Sequence, residues 1–305
     1  MPMAMAARAA GSAAAAGEAQ PVELPALEEL AWTNRDELAF LQAKDEYARL
    51  LRLFTPSGPG GPGPQRRAVV VDVGGNNGMF ALEAAKANPA STSIFSFEPF
   101  ERPFRCLESN AALMNARLAA ARGAAASQIT AVKAAVGLAG GRVTGTYLEN
   151  YSLLSGFHVS QEDRAELERL AGRDLSHEFH GAAEEVASTR LDQWMRDADV
   201  PQIDLLKVDV EKAELAVLES LGERLKDSVR FIIAEVHEET KDAVLRLLRD
   251  AGVAEINVSE PAPPTFCLFQ ADRAAGLPAP RRKPEGYDRK LNTYLIWAAK
   301  LPTRL

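Results

Sequence analysis

Residues 69 to 79 read Val-Val-Val-Asp-Val-Gly-Gly-Asn-Asn-Gly-Met, and the reading of this stretch decides the fold. Val69, Val70, Val71 and Val73 are β-branched and interrupted only by Asp72, the pattern of a strand covered on both faces. Gly74, Gly75 and Gly78 then supply the backbone freedom and missing side chains of a turn that brings amides to a ligand at a helix N-terminus. Asp72 narrows the ligand. A dinucleotide fold sets its pyrophosphate after a G-x-G-x-x-G turn, whereas the spacing here is G-G-x-x-G and a carboxylate at the strand tip repels phosphate. A cofactor with a positive centre and no phosphate suits the turn better, and S-adenosylmethionine, with its sulfonium, ammonium and ribose diol, is such a molecule. A tight strand-to-helix turn without a ligand is the plainer alternative.

Working outward, 305 residues hold one large domain or two small ones, with ample material for a core. Lysine and arginine number 35 against 42 acids, a net charge of -7. That disfavours a general nucleic-acid-binding surface. Cys106 and Cys267 are the only cysteines, too few for a disulfide scaffold, so a reducing compartment such as the cytoplasm is expected. No run approaches the roughly 18 apolar residues of a membrane span. The alanine-rich start, residues 1–20, reads as a disordered low-complexity tail, and it leaves room for an organellar transit peptide.

Residues 21–54 are expected to form an N-terminal helical segment. Asn34 and Glu37 make a capping box, and Phe40, Tyr47, Leu51 and Phe54 form one stripe. Residues 55–66 alternate proline and glycine and form a linker. The main domain, 67–300, alternates strand and helix, as in a parallel α/β sheet. Its strands are placed at Val69–Val73, Ser93–Phe97, Ile129–Val136, Ile203–Val208, Val229–Val236 and Val253–Val258, with a last, antiparallel strand at the sheet edge over Asn292–Ala298. An insert, residues 145–202, carries a charged helix at Gln161–Ala171 with Ser160 as cap, and its position suits a substrate lid.

Several stretches, in order, resemble one family: Asp72-Val-Gly-Gly-Asn-Asn-Gly78, Phe97-Glu98-Pro99, Ala135-Val136-Gly137, Thr189-Arg-Leu-Asp192, Leu206-Lys-Val-Asp-Val-Glu211 and Ala234-Glu-Val-His237. Over residues 67 to 300 the chain is similar to the FkbM-type S-adenosylmethionine-dependent methyltransferases. The resemblance implies a Rossmann-like class I methyltransferase fold, with a mostly parallel seven-stranded sheet and an antiparallel last strand. It also implies methyl transfer to a hydroxyl oxygen of a small molecule or glycan. Asp72, Gly74 and Gly78, with Gly75 and Asn77 of the same turn, would then hold the methionine end. Glu98 would accept from the ribose diol, Ala135 and Val136 would border the adenine, and Asp209 would face the reactive centre. The chain departs from the family pattern at Lys212, where glycine usually follows Asp-Val-Glu.

An alcohol acceptor must lose its proton, and a positioned base contributes roughly 10²–10⁴-fold. His237, at the end of the fifth strand, is the first candidate and Asp209 the second. Asp209 could equally cap the following helix. His177 and His180 stand at helical spacing, but no further ligands can be assigned, so no metal is expected. Two other readings stay open at this point: a nicotinamide-dependent oxidoreductase on a similar sheet, and a non-catalytic methyltransferase-like binding module.

Overall fold

The computed structural model describes residues 22–31, 51, 66–88, 90–148, 181–259 and 293–299, with 156, 165, 168 and 174 as single positions. The strands are β1 (Ala68–Val73), β2 (Thr92–Phe97), β3 (Gln128–Val132), β4 (Ala135–Val136), β5 (Gly141–Leu148), β6 (Gly181–Thr189), β7 (Ile203–Val208), β8 (Val229–His237), β9 (Glu255–Val258) and β10 (Thr293–Ala299). The helices are α1 (Met79–Ala87), α2 (Glu101–Arg122), α3 (Leu191–Asp197), α4 (Glu214–Glu219), α5 (Arg224–Asp227) and α6 (Glu238–Asp250). Seven strands form one sheet in the order β3-β2-β1-β7-β8-β10-β9. Only β10 opposes the common direction, pairing antiparallel with β8 and β9. This is the Rossmann-like class I methyltransferase arrangement.

The valine run of β1 lies at the centre because both of its faces are covered. Ala68 and Val70 join Ile94, Leu205 and Ile233 in a layer closed by Phe80, Leu82, Met114 and Leu118 of α1 and α2. Val71 and Val73 join Phe97, Leu206, Val208 and Ala234 in the opposite layer, closed by Leu191, Val217, Leu218, Val244 and Leu248. Within this frame the in-register neighbours of Asp72 are Ser96 on β2 and Lys207 on β7. Adjacent residues of parallel strands share a face. Three polar side chains therefore emerge side by side, toward the α1–α2 layer.

Three expectations change. The third strand ends at Val132, because the Ala134 amide donates back to the Val132 carbonyl and kinks the chain. Ala135–Val136 belongs instead to a second sheet of order β4-β6-β5. The insert is not only a helix and loop: β5 and β6 pair antiparallel from Gly141↔Ser188 to Leu148↔Gly181. Finally, β10 is not at the edge, since β9 lies outside it. The small sheet has its own core of Phe100, Ala135, Tyr147 and Val186, with the Phe100 and Tyr147 rings 5.8 Å apart.

The linker at 55–65 and the insert helix at 161–171 fall outside the described residues, single positions aside. Of the N-terminal segment, residues 22–31 hold a 3-10 turn at Leu27–Glu29 and no other regular element, and Leu51 is helical and fully buried. Among the described residues no helix is long and apolar enough to cross a membrane.

The N-terminal strap is tied to the glycine turn through one side chain. Asn110, 1% exposed on α2, accepts from the Ala31 amide at 2.7 Å and donates to the Ala31 carbonyl at 2.9 Å and the Asn77 carbonyl at 2.8 Å. A net hydrogen bond contributes roughly 0.5–1.5 kcal/mol. Asn110→Ala is expected to lower the unfolding free energy by about 2–3 kcal/mol with an unchanged denaturant slope, as measured by urea titration.

Candidate active site

The turn after β1 is shaped by what cannot fit in it. Gly74 sits at φ +84°, and a Cβ there would lie 1.8 Å from the Asp209 carbonyl oxygen. At Gly75 a Cβ would meet the Ser96 hydroxyl at 2.2 Å. The amides of Gly74 and Gly75 both donate to the Phe97 carbonyl, at 3.1 and 2.8 Å, and the Asp209 amide donates to the Val73 carbonyl at 3.0 Å. The tips of β1, β2 and β7 are thus fastened by backbone.

A cleft opens in front of these tips. It is lined by Gly74 and Asn76 of the turn, Glu98 to Phe100 beyond β2, Ala134 to Val136, Asp209 to Glu211, and Gly156. Of the residues named from sequence, Gly74, Glu98, Ala135, Val136 and Asp209 meet here. Asp72, Gly75, Asn77, Gly78 and His237 do not line it.

Asp72 lies behind the turn, fully buried. Its carboxylate accepts from the Ser96 hydroxyl at 2.6 Å and faces the Lys207 ammonium at 3.2 Å. Burial raises its pKa, opposed by Lys207 and Ser96. Gly75 and Gly78 pack against Leu107 of α2, and Asn77 is 1% exposed, its carbonyl taken by Asn110. These four residues shape the turn from its rear.

Glu98, 5% exposed, is held at both carboxylate oxygens: one accepts from the Asn76 amide at 2.9 Å, the other from the Phe100 amide at 3.0 Å. Each oxygen keeps a second lone pair. Burial pushes its pKa up to about 7, with the two amides acting to lower it. A pair of donors from a ligand diol would favour the ionised form.

His237 is corrected by its surroundings. Its Nδ1 lies 3.1 Å from Glu214 Oε1 and its Nε2 3.2 Å from Glu211 Oε2. Burial acts to lower its pKa, but the hydrogen bonds and charges of Glu211 and Glu214 outweigh this and push it up to about 11. The ring is a clamped imidazolium at neutral pH, with no lone pair to offer as a base. Glu214, fully buried, is itself fixed by the Lys212 amide at 2.8 Å and the Thr240 hydroxyl at 2.9 Å.

The clamp holds Glu211, which sequence reasoning missed. Glu211 lines the cleft, and burial raises its pKa while His237 draws it down. It stands at φ +49° with Lys212 at φ +75°, a left-handed pair of non-glycine residues and a site of stored strain. Lys212 turns away from the cleft to Glu239, 3.2 Å distant. Where glycine would be relaxed, this chain holds a lysine by an ion pair.

Comparison with known proteins follows the same lines. The methyltransferase FkbM domain matches residues 72–253. The chain is 30% identical over 207 residues to the 31-O-demethyl-FK506 methyltransferase FkbM of Streptomyces tacrolimicus, covering 63% of this chain and 75% of that one. It is 30% identical over 219 residues to methyltransferase sdnD of Sordaria araneosa, covering 67% and 81%. Among solved structures, methyltransferase FkbM from Methylobacillus flagellatus KT aligns with a TM-score of 0.42 at 14% identity, over 89% of this chain and 56% of that one.

The Glu98 environment carries a pH signature. Its folded pKa, about 7, exceeds the ordinary 4.5, so the folded state binds the extra proton between these values and stability falls as pH rises through that window. Glu98→Gln removes this dependence. Denaturant titrations are expected to show the variant gaining on the parent by on the order of 3 kcal/mol from pH 4 to pH 8.

Proposed function

The chain belongs to the FkbM methyltransferase family, and from this premise we propose that it transfers a methyl group from S-adenosylmethionine to a hydroxyl oxygen of a small-molecule or glycan acceptor. The observation that carries the cofactor is the charge of the cleft. Its ionisable lining among the described residues is Glu98, Asp209 and Glu211, all acids with no cation beside them in the cleft wall. A sulfonium and an ammonium are attracted there and a pyrophosphate is repelled, which favours the methyl donor over a nicotinamide dinucleotide.

Bound there, S-adenosylmethionine supplies an electrophilic methyl on a positively charged sulfur. Glu98 would accept from the ribose hydroxyls with its two remaining lone pairs. Ala134, Ala135, Val136 and Phe97, which line the cleft, would give the adenine an apolar wall. The acceptor's hydroxyl proton passes to a carboxylate at the same edge, either Asp209 or Glu211. An alcohol becomes strongly acidic as its oxygen bonds to carbon, so a carboxylate suffices where an imidazolium cannot act. The oxygen acceptor is supported by the Streptomyces relative, whose name specifies a 31-O-demethyl substrate. The acceptor is expected to meet the cleft on the side of Gly156 and Glu211, with the cytoplasm as the compartment of action.

Two measurements test this reading. S-adenosylhomocysteine titrated by calorimetry at pH 7, in buffers of different ionisation enthalpy, should bind with release of roughly half a proton from Glu98, and the release should vanish in Glu98→Gln. No binding, or binding of NAD in its place, overturns the cofactor. A screen of hydroxyl-bearing small molecules and oligosaccharides for S-adenosylhomocysteine formation then tests the reaction. With an active acceptor, Glu211→Gln should lower kcat by about 10²-fold or more with KM for the methyl donor little changed; an unchanged kcat leaves Asp209 as the proton acceptor, and a screen without turnover favours a binding module.

A further inference from the structure

Two residues of β7 carry a buried charge: Asp204, which pairs with Arg66 and Arg230 at the start of the strand, and Lys207, near its tip. Lys207 stands in Ile203-Asp-Leu-Leu-Lys-Val208, where all six residues are buried, and is itself 3% exposed. A lysine is almost never buried without partners, and here they are specific. Its Nζ donates to the Gly74 carbonyl at 2.7 Å and lies 3.2 Å from Asp72 Oδ1 and 3.5 Å from Asp209 Oδ2. The Phe80 ring stands 5.8 Å away on the side of α1. One ammonium therefore joins the strand β1, the glycine turn after it and the loop after β7. It does not line the cleft, whereas Gly74 and Asp209, two of the groups it holds, do.

Burying a cation behind a site that attracts cations is unfavourable unless the cation does something a neutral side chain cannot. Counter-charge to Asp72 alone would need no contact with Gly74 or Asp209. Resting on the reading of the cleft as a methyl-donor site, we propose that Lys207 is a positioning residue: it fixes the Gly74 carbonyl and the Asp209 carboxylate, and so sets the surface that receives the methionine end of the donor. The alternative role, a structural counterion for Asp72, makes a different prediction. Removing one partner of a buried pair leaves an uncompensated charge and is strongly destabilising, while replacing both by neutral isosteres is often tolerated. The double variant Asp72→Asn/Lys207→Met thus separates charge balance from positioning.

Thermal unfolding and calorimetric titration with S-adenosylhomocysteine on the parent chain, Lys207→Met and the double variant provide the test. Lys207→Met is expected to melt well below the parent and to bind at least about tenfold more weakly. The double variant should recover most of the melting temperature while its affinity stays at least about tenfold reduced. Recovery of both stability and affinity in the double variant overturns the proposal, because it reduces Lys207 to a counterion. Parental affinity in Lys207→Met overturns it as well. Should the single variant fail to fold, the double variant alone decides, and one that stays as unstable as the single shows that Asp72 is not the balancing partner and also counts against it. A parent chain that binds no S-adenosylhomocysteine removes the donor-site reading and this proposal together, an outcome distinct from the others because it is seen before any substitution.

Discussion

The tips of β1 and β7 can close on each other only because residue 74 has no side chain. A Cβ there would overlap the Asp209 carbonyl at 1.8 Å, and no rotamer relieves a clash with backbone. From this approach the rest follows. Asp209 can donate its amide to Val73, Lys207 can span both strand tips, and the chain leaves the sheet with a carboxylate facing the cleft. The amides of the turn are largely consumed in holding it together, so recognition falls to side chains placed at the ends of neighbouring strands.

The charges around the cleft obey one rule twice. Lys207 stands between Asp72 and Asp209, and His237 stands between Glu214 and Glu211. In each case one carboxylate is fully buried and the other lines the cleft. Each buried cation is shared between a buried carboxylate and one that lines the cleft, so it serves the lining carboxylate only in part. The side chain presented forward is an acid at both places. A site of this kind can hold a cationic ligand without relying on flexible surface residues, whose attraction salt would screen.

Much of the sheet was legible because its central strands are covered on both faces and read as apolar runs: Val69 to Val73, Ile203 to Val208 and Val229 to Val236. The β5–β6 pair was not, since among its described inward positions only Gly145, Tyr147 and Val186 are buried and its partners lie far apart in sequence. The kink at Ala134 depends on a tertiary neighbour, as the Val132 carbonyl also receives the Glu98 amide at 3.1 Å. Within the site, Glu98 and Asp209 were visible as acids at strand ends. His237 was visible too, but its state is set by Glu211 and Glu214, more than twenty residues upstream, and no local pattern announces that clamp. Lys207 did leave a signal, a lone cation in an apolar strand, which sequence reading passed over.

Gly156 bears on how the small sheet meets the loop after β7. Its amide and carbonyl both bond to Thr146, at 3.1 and 2.9 Å, and a Cβ on it would come within 3.1 Å of the Glu211 Cβ. Any side chain there would press on a residue already held in a left-handed conformation. Gly156 is therefore pinned between Thr146 of β5 and Glu211, a point where the small sheet and the strained Glu211–Lys212 turn meet without a side chain between them.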